Sequence, residues 1–441
     1  MRFLIVPNFA LAYDQRMVRS LALGLRSLGH EAQALSTPIE DLALASVCRS
    51  YDADIVLRVN RFRPLDDPLP AKVRHIGWFQ DVFPETLAAI HARILDKDIV
   101  YVLGDPQTLG FNVELPCYVS TLLTGVDETV CPPASVENPV DFSLCGYIPP
   151  PLRLMPSIKK ELVWLAMPLF APFDKFGLLP DTVLKRLRGL VPYAMATGLI
   201  AIVETMYQPL SGSLDIHQLT AAMDEFIAAQ FGISLKPIRV PAERRGWTEG
   251  MLPKLMLPYV SDLNEPLGRR GTVQRFISYL ARDHPRMLDR VMLIDAILSV
   301  SRSLELYGPG WTEHSDYRQF HRGVLDSTAE LAKVYARSRL NLANNTHGLG
   351  LHSRTLECMA VGGFIFMHAS PADSKPGGMQ TAFEPGVHYG LFEPDTIAEE
   401  ARRWLRDEAS RNTAAAKAAA IVKENHTWRH RAQQILDDLA R

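Results

Sequence analysis

Arg354 and Glu357 are three residues apart in LHSRTLECMAVGGFIFMHAS, residues 351–370. They open a short helical pattern that runs into a double glycine and an apolar stretch. With the preceding RLNLANNTHGLG the segment reads as strand, glycine-bearing loop, helix, strand. Ser353 or His352 can cap the helix, and the N–H groups of a helix start favour a phosphate. Gly348 and Gly350 let that phosphate approach the backbone. Arg354 can grip two phosphate oxygens at once. Glu357 lies on the same helical face and can accept hydrogen bonds from two adjacent ribose hydroxyls. Diphosphate on the helix start and ribose on the acid describe a nucleoside-diphosphate site. A plainer reading is an i,i+3 ion pair on a helix surface, and the chemistry alone leaves both open.

Such a segment needs sheets to carry it. The first third of the chain alternates short apolar runs with helical patterns. RFLIVP (2–7) reads as a strand and DQRMVRSLALGLRSLGHE (14–31) as an amphipathic helix ending near Gly29. EAQAL, DADIVLRV, VRHIGWF, DIVYVLG and PCYVSTLL follow as short β-rich runs between turn residues. That alternation predicts parallel βαβ units in a doubly wound sheet. TGVDETVCPPASVENPVDF (124–142) then breaks the pattern with three prolines and reads as an interdomain connection. A second strand series begins at DFSLCGYI (141–148) and resumes with SLELYGPGW, RLNLANN, GGFIFMHA and HYGLFEP. Between them the pattern is mostly helical, a large insertion at about 155–300. The Ala- and charge-rich tail is predicted to be nearly all helix. The expected organisation is a first domain at 1–134, a second at 135–425 carrying the insertion, and a terminal helix at 426–441. Two doubly wound domains place a cleft between the carboxyl ends of their sheets, where ligands bind.

Bulk properties exclude several classes. With 441 residues the chain exceeds one compact core, and 47% hydrophobic with 22% charged residues is ordinary for a globular protein. A net charge of −2 gives no global pull toward nucleic acid or an acidic membrane. Cys48, Cys117, Cys131, Cys145 and Cys358 form no C-x-x-C pair, which fits reduced thiols in a cytoplasmic protein better than disulfides or zinc. MRFLIVPNFALAYDQR is broken by Pro7 and Asn8 and reads as a first strand rather than a signal peptide. No run of about 18 uncharged apolar residues offers a spanning helix; GLVPYAMATGLIAIVETMY (189–207) reads as a buried core helix.

The segment at 350–366 resembles the donor-site motif of GT-B glycosyltransferases, and in detail the CgeB-like group of the glycosyltransferase 4-type superfamily. The matching pieces are GVDETVCPP (125–133), FSLCGYIPPPLR (142–153), LELYGPGW (304–311), YARSRLNLANN (335–345), GLHSRTLECMAVGGFIF (350–366), FEPGVHYGLFEP (383–394) and HTWRHRAQQIL (426–436). They occur in the family's order. The resemblance implies a GT-B fold, two Rossmann-like domains facing a cleft, with the insertion as a departure from the shorter family pattern. It implies that Glu357 holds the ribose and that Gly350, His352, Ser353 and Arg354 meet the donor phosphates. Gly308, Gly310 and Trp311 would form a loop near the nucleotide. Arg153 falls where these proteins often place a basic residue for the diphosphate. His426, Trp428 and Arg431 would lock the terminal helix across the domains.

Sugar transfer needs the acceptor hydroxyl positioned and, with inversion, deprotonated from the other domain. Asp81 in HIGWFQDVFPE closes a strand at its carboxyl end and resembles the QD of CgeB-like proteins; an N-cap is its alternative. Asp14, after the first strand, faces the acceptor in the resemblance and can equally be a cap. His75 reads as a packed strand residue. DAD (52–54) is a D-x-D without a supporting pattern, and His426 with His430 lacks a third zinc ligand. The first strand ends in PNFALAYD rather than G-x-G-x-x-G, against a dinucleotide dehydrogenase. The expectation is a metal-independent glycosyltransferase with a nucleotide-sugar co-substrate, no other cofactor, and a protein hydroxyl or glycan as acceptor. The insertion is a candidate acceptor platform. A sugar-nucleotide epimerase of the same fold and a catalytically silent scaffold are the rivals.

Overall fold

The computed structural model describes residues 1–63, 68–80, 94–107, 115–129, 139–151, 181–231, 238–239, 260–261, 279–325 and 327–441. The first sheet holds β1 (Arg2–Val6), β2 (Glu31–Ala34), β3 (Ile55–Val59), β4 (Arg74–Phe79), β5 (Ile99–Val102) and β6 (Tyr118–Thr121). Their order is β2-β1-β3-β4-β5-β6, and every neighbouring pair is parallel. Strands covered on both faces read as continuous apolar runs, and IVLRV of β3 is buried throughout. The one charge in that run, Arg58, donates to Asp41 Oδ1 at 2.9 Å and to the Phe62 carbonyl at 3.1 Å. Helix α1 (Ala12–Ser27) covers the sheet with Met17, Val18, Leu21 and Leu25. It starts two residues earlier than the sequence pattern, and Gly29, at φ +84°, turns the chain out of it. Helix α2 (Asp41–Tyr51) packs Leu44 and Cys48 on the opposite side of β1 and β3.

The second sheet holds β7 (Val140–Cys145), β10 (Leu304–Tyr307), β11 (His321–Gly323), β12 (Ser338–Ala343), β13 (Ile365–His368) and β14 (Gly390–Phe392). Its order is β11-β10-β7-β12-β13-β14, again parallel throughout. Between β7 and β10 run α3 (Asp181–Met206), α4 (Ile216–Phe231), the two-residue parallel pair β8 (Ile238–Arg239) and β9 (Val260–Ser261), and α5 (His284–Leu298). Helices α3 and α4 share their own core of Met195, Leu199, Val203, Leu219, Met223 and Ile227. Helix α5 differs: Leu293, Ile294 and Ile297 pack with Phe142, Leu144 and Leu306 of the sheet. It is therefore part of the sheet's helical cover, while Leu288 on the same helix packs against the insertion's core. Helices α6 (Thr328–Arg337), α7 (Ser353–Ala360), α8 (Ile397–Arg406), α9 (Glu408–Asn425) and α10 (Trp428–Leu439) complete the chain.

The last helix returns to the first domain. Trp428, Ala432, Ile435 and Leu439 are buried with Phe3, Ile5 and Trp78. Burying one large apolar side chain contributes roughly 1.5–3 kcal/mol, so three of them hold α10 firmly. Gly24 admits the contact, since a Cβ there would lie 2.7 Å from the Trp428 carbonyl oxygen. Polar bonds fix the register: Tyr101 donates to Asp438 at 2.9 Å and Arg431 Nε to the Thr124 carbonyl at 3.0 Å. A second crossing lies at the cleft, where Leu349 joins the first domain's Phe62, Phe79, Val100 and Val102. Among the described residues no helix is long and apolar enough to cross a membrane.

Candidate functional site: the switch point of the second sheet

From β7 the chain moves one way to β10 and β11, then returns to β12 on the other side. The carboxyl ends of β7 and β12 thus form the topological switch point, the usual ligand position in such sheets. The chain leaves β7 through Gly146, Tyr147 and Ile148. The YGPGW loop clamps that exit. Gly308 sits at φ +119° and Gly310 at φ +90°, and a Cβ on Gly310 would lie 1.9 Å from the Ile148 oxygen. Trp311 is fully buried and donates its indole N–H to the Gly146 carbonyl at 2.7 Å. These three residues shape the exit from behind; the tryptophan presents no surface to a ligand.

Three arginines converge on the same turn. Arg354 Nη1 donates to the Cys145 carbonyl at 3.0 Å, and both Arg354 and Arg290 abut the position a Gly146 Cβ would take. Arg290 donates through Nε to Asn344 Oδ1 at 3.0 Å, and its guanidinium lies 5.4 Å from the Tyr147 ring centre. Arg286 covers the same ring at 5.3 Å and bonds the Tyr147 hydroxyl. Burial, then the charges of Arg354 and Arg286, hold Arg290 well below the usual guanidinium range. Burial and the same arginines push His352 down to about 3, so its ring is neutral. Arg290 Nη1 and Asn344 Nδ2 are buried with no hydrogen-bond partner. Buried polar atoms are normally paired, and leaving one unpaired costs about 1–3 kcal/mol. Two orphaned donors, one of them cationic, suit an anion.

Helix α7 follows the loop after β12. Its start carries no side-chain cap: His352 occupies the cap position but its ring meets Ser353 Oγ at 3.2 Å instead. The sequence expectation of a His352 or Ser353 cap is therefore corrected, and the first N–H groups of the helix keep their freedom to meet an anion. Gly350 packs edge to edge with Met379, whose Cγ would lie 2.2 Å from an added Cβ. Gly348 adopts φ +72°. Arg354 and Glu357 do not pair with each other. Glu357 Oε1 instead accepts from Arg16 Nη2 of the first domain at 3.3 Å, and Glu357 Oε2 is buried without a partner. The surface ion-pair reading of Arg354 and Glu357 is overturned by these separate partners. Burial raises the Glu357 carboxyl above its ordinary range, against the pull of Arg16 and Arg354. A pocket beside it is lined by Tyr13, Arg16, Ser20, Asp127, Ser353 and Glu357. Burial pushes the Tyr13 hydroxyl up to about 12, with Ser353 as its hydrogen-bond partner.

Asp14 lies in the first turn of α1, buried at the carboxyl end of β1. Asp81 and Arg153 lie outside the described residues. Asp52 and Asp54 precede β3 at the opposite end of the sheet, where both pair with Lys72. His75 is buried in the first half of β4, and its backbone N–H meets Asp98 at 3.3 Å. His426 meets Arg431 at 2.6 Å, while His430 bonds Thr427 in a capping box. Neither pair faces a common ion, and among the described residues no group of three or more such ligands can hold a metal.

The sequence reading missed Arg16, Tyr13, Arg286, Arg290, Tyr147 and Asn344. Arg286 and Arg290 are four apart, a single helical face, but they fall in a stretch read as insertion. Arg16 follows the first strand closely, where a switch-point loop is expected.

A family model described as glycosyl transferase-like matches residues 286–437, which span Arg286, Arg290, Arg354 and Glu357. No curated protein matches the chain. Among solved structures, Alr3699/HepE of Anabaena in complex with UDP-glucose is 11% identical, with 100% of this chain and 99% of that one covered at a TM-score of 0.53. A glycosyltransferase of Rickettsia africae ESF-5 is 9% identical over 99% of this chain and 97% of its own, at 0.47. Sucrose-phosphate synthase of Thermosynechococcus elongatus is 12% identical over 99% and 97%, at 0.45. The two parallel sheets facing a cleft are the GT-B fold of glycosyltransferases.

Proposed function

We propose that this chain is a glycosyltransferase that moves a hexosyl group from a nucleotide sugar to an acceptor hydroxyl. One observation carries the reading. Arg290 Nη1, Asn344 Nδ2 and Glu357 Oε2 are all orphaned and all placed around one switch point. Two donors call for phosphate oxygens and one acceptor for a ribose hydroxyl, and a nucleoside diphosphate brings both. The glycosyl transferase-like match over 286–437 supports the same reading. The HepE structure was solved with UDP-glucose, which makes a UDP-sugar the first donor to try. The finer placement in the CgeB-like group rests on the sequence motifs.

In this mechanism Arg354, Arg290 and the open start of α7 take up the charge that develops on the leaving diphosphate. Preorganised cations aimed at developing charge are worth several kcal/mol in a water-poor site. The proposal calls on no metal and no cofactor beyond the nucleotide sugar. Glu357 fixes the ribose, and the acceptor, a protein hydroxyl or a glycan, lies against the first domain. There Asp14 or Asp81 removes its proton as the bond to the sugar forms.

The test is calorimetry against ADP, CDP, GDP, UDP and dTDP with wild type, Glu357→Ala and Arg354→Ala. One nucleotide should bind the wild type and lose about tenfold or more in each variant. No binding at millimolar nucleotide overturns the reading. Turnover of the donor to an isomeric nucleotide sugar, with no acceptor present, would replace transferase by epimerase.

A further inference from the structure

We propose that the insertion serves the donor side, with Asp289 as a positioning residue that ties the turn after α3 to the loop between β12 and α7. The proposal rests on the donor-site reading, because that loop leads into Arg354 and Glu357.

Asp289 is fully buried on α5, next to Arg290. Its Oδ1 accepts from the Tyr207 hydroxyl at 2.6 Å and from the Leu210 N–H at 2.7 Å, both in the turn that follows α3. Its Oδ2 accepts from the Thr346 hydroxyl at 2.7 Å, in the β12–α7 loop. One carboxylate thus joins the insertion to the loop, oxygen by oxygen. A second seam runs beside it. A Cβ on Gly348 would lie 2.6 Å from the Gly212 oxygen, and Ser370 donates to that same oxygen at 3.2 Å. The turn holds Leu210 at φ +60°, a conformation that a leucine keeps only when its surroundings impose it. The Leu210 N–H on Asp289 is one such constraint.

The loop is fastened step by step. Arg290 takes Asn344, His368 accepts from the Asn345 N–H at 2.9 Å, Asp289 takes Thr346, and Leu349 docks on the first domain. Asp289 and Arg290 are consecutive, so one turn of α5 sets both the anion-facing guanidinium and the loop beside it. A buried carboxylate held by three neutral donors is an expensive way to fill space, since an apolar side chain of that volume packs as well or better. Its directional bonds fix a loop geometry that packing alone would leave free. The described part of the insertion therefore presses on the donor loop, in contrast to the acceptor-platform expectation.

The experiment uses the full chain with Tyr207→Phe, Thr346→Val and the double variant, which remove the hydroxyl at either end of the same carboxylate. Hydrogen exchange is read first because it needs no nucleotide. Tyr207→Phe should speed amide exchange in residues 344–350, although the altered residue lies in the insertion. Calorimetry then uses whichever of ADP, CDP, GDP, UDP and dTDP the wild type binds. Each single variant should weaken binding roughly tenfold, and the double variant should fall short of the product because both act through Asp289. Unchanged loop exchange in Tyr207→Phe overturns the proposal. So does a wild-type Kd in both variants, even if their melting temperatures drop, because Asp289 would then only hold the fold. If the wild type binds no nucleotide, the donor-site reading fails, and the exchange result alone decides whether the insertion positions the loop.

Discussion

Arg16→Ala is the perturbation that separates a ribose acid from a merely buried one. Arg16 lies 3.3 Å from Glu357, with only 24% and 12% of the two side chains exposed. At that distance a pair of unit charges interacts by at most about 5 kcal/mol in an effective dielectric of 20. Desolvation takes back part of that, but a share of even one quarter nears a tenfold effect on an equilibrium. Burial already favours the protonated form of Glu357, and Arg16 opposes it. Removing Arg16 therefore raises the carboxyl further. The acid must be ionised to accept two ribose hydrogen bonds, and bonds to a charged acceptor are worth about 1.5–3 kcal/mol. Nucleotide affinity should then fall as pH drops through the raised value, and the fall should begin at higher pH in Arg16→Ala than in the wild type. Glu357→Gln should bind weakly with no inflection from this group. Calorimetric Kd values between pH 5 and 8.5, in all three proteins, read this directly. Superimposable pH profiles for wild type and Arg16→Ala would refute the reasoning. Tighter, pH-independent binding in Arg16→Ala would show instead that the arginine occludes the site.

Gly310→Ala places a Cβ 1.9 Å from the Ile148 oxygen at φ +90°; it should displace the β7 exit and abolish nucleotide binding in the same calorimetric assay. Ile435→Ala removes a fully buried side chain from the seam between α10 and the first domain, and urea unfolding should show a loss of about 2–4 kcal/mol. Burial and nearby arginines hold His347 and His352 at about 3, and burial with Arg431 holds His426 at about 4. Their folded values lie below the usual 6.5, so their contribution is complete above that pH and is lost progressively as pH falls toward about 4 for His426 and about 3 for His347 and His352. Urea titrations at pH 7.5 and 5.5 should differ by roughly 1 kcal/mol per histidine, and equal stabilities would contradict their neutral burial.

Much of the architecture was readable because its strands obey one rule. LIV in β1 and IFM in β13 are continuous apolar runs, as strands buried on both faces tend to be, and IVLRV in β3 departs from that only at Arg58, whose charge is paired with Asp41. Their alternation with amphipathic helices left a parallel doubly wound sheet as the natural solution. Helix α5 was harder. HPRMLDRVMLIDAIL has the same period as the insertion helices before it, and periodicity says a face is buried without saying against what. Only the contact of Leu293 and Ile297 with β7 and β10 assigns it to the sheet.

The site divides along the same line. Arg354 and Glu357 were legible because they share one short helix, and local spacing fixes which face they occupy. What they do was not legible, because each finds its partner far along the chain: Cys145 for Arg354, Arg16 for Glu357. Asp289 is the extreme case. In sequence it is a lone acid between Leu288 and Arg290, indistinguishable from a solvated helix residue. Its three donors come from positions 207, 210 and 346, and nothing local records that meeting. Long-range hydrogen bonds leave a signature only where topology brings strand ends together. A switch point can therefore be forecast from strand order, while the side chains that furnish it must be read from the fold.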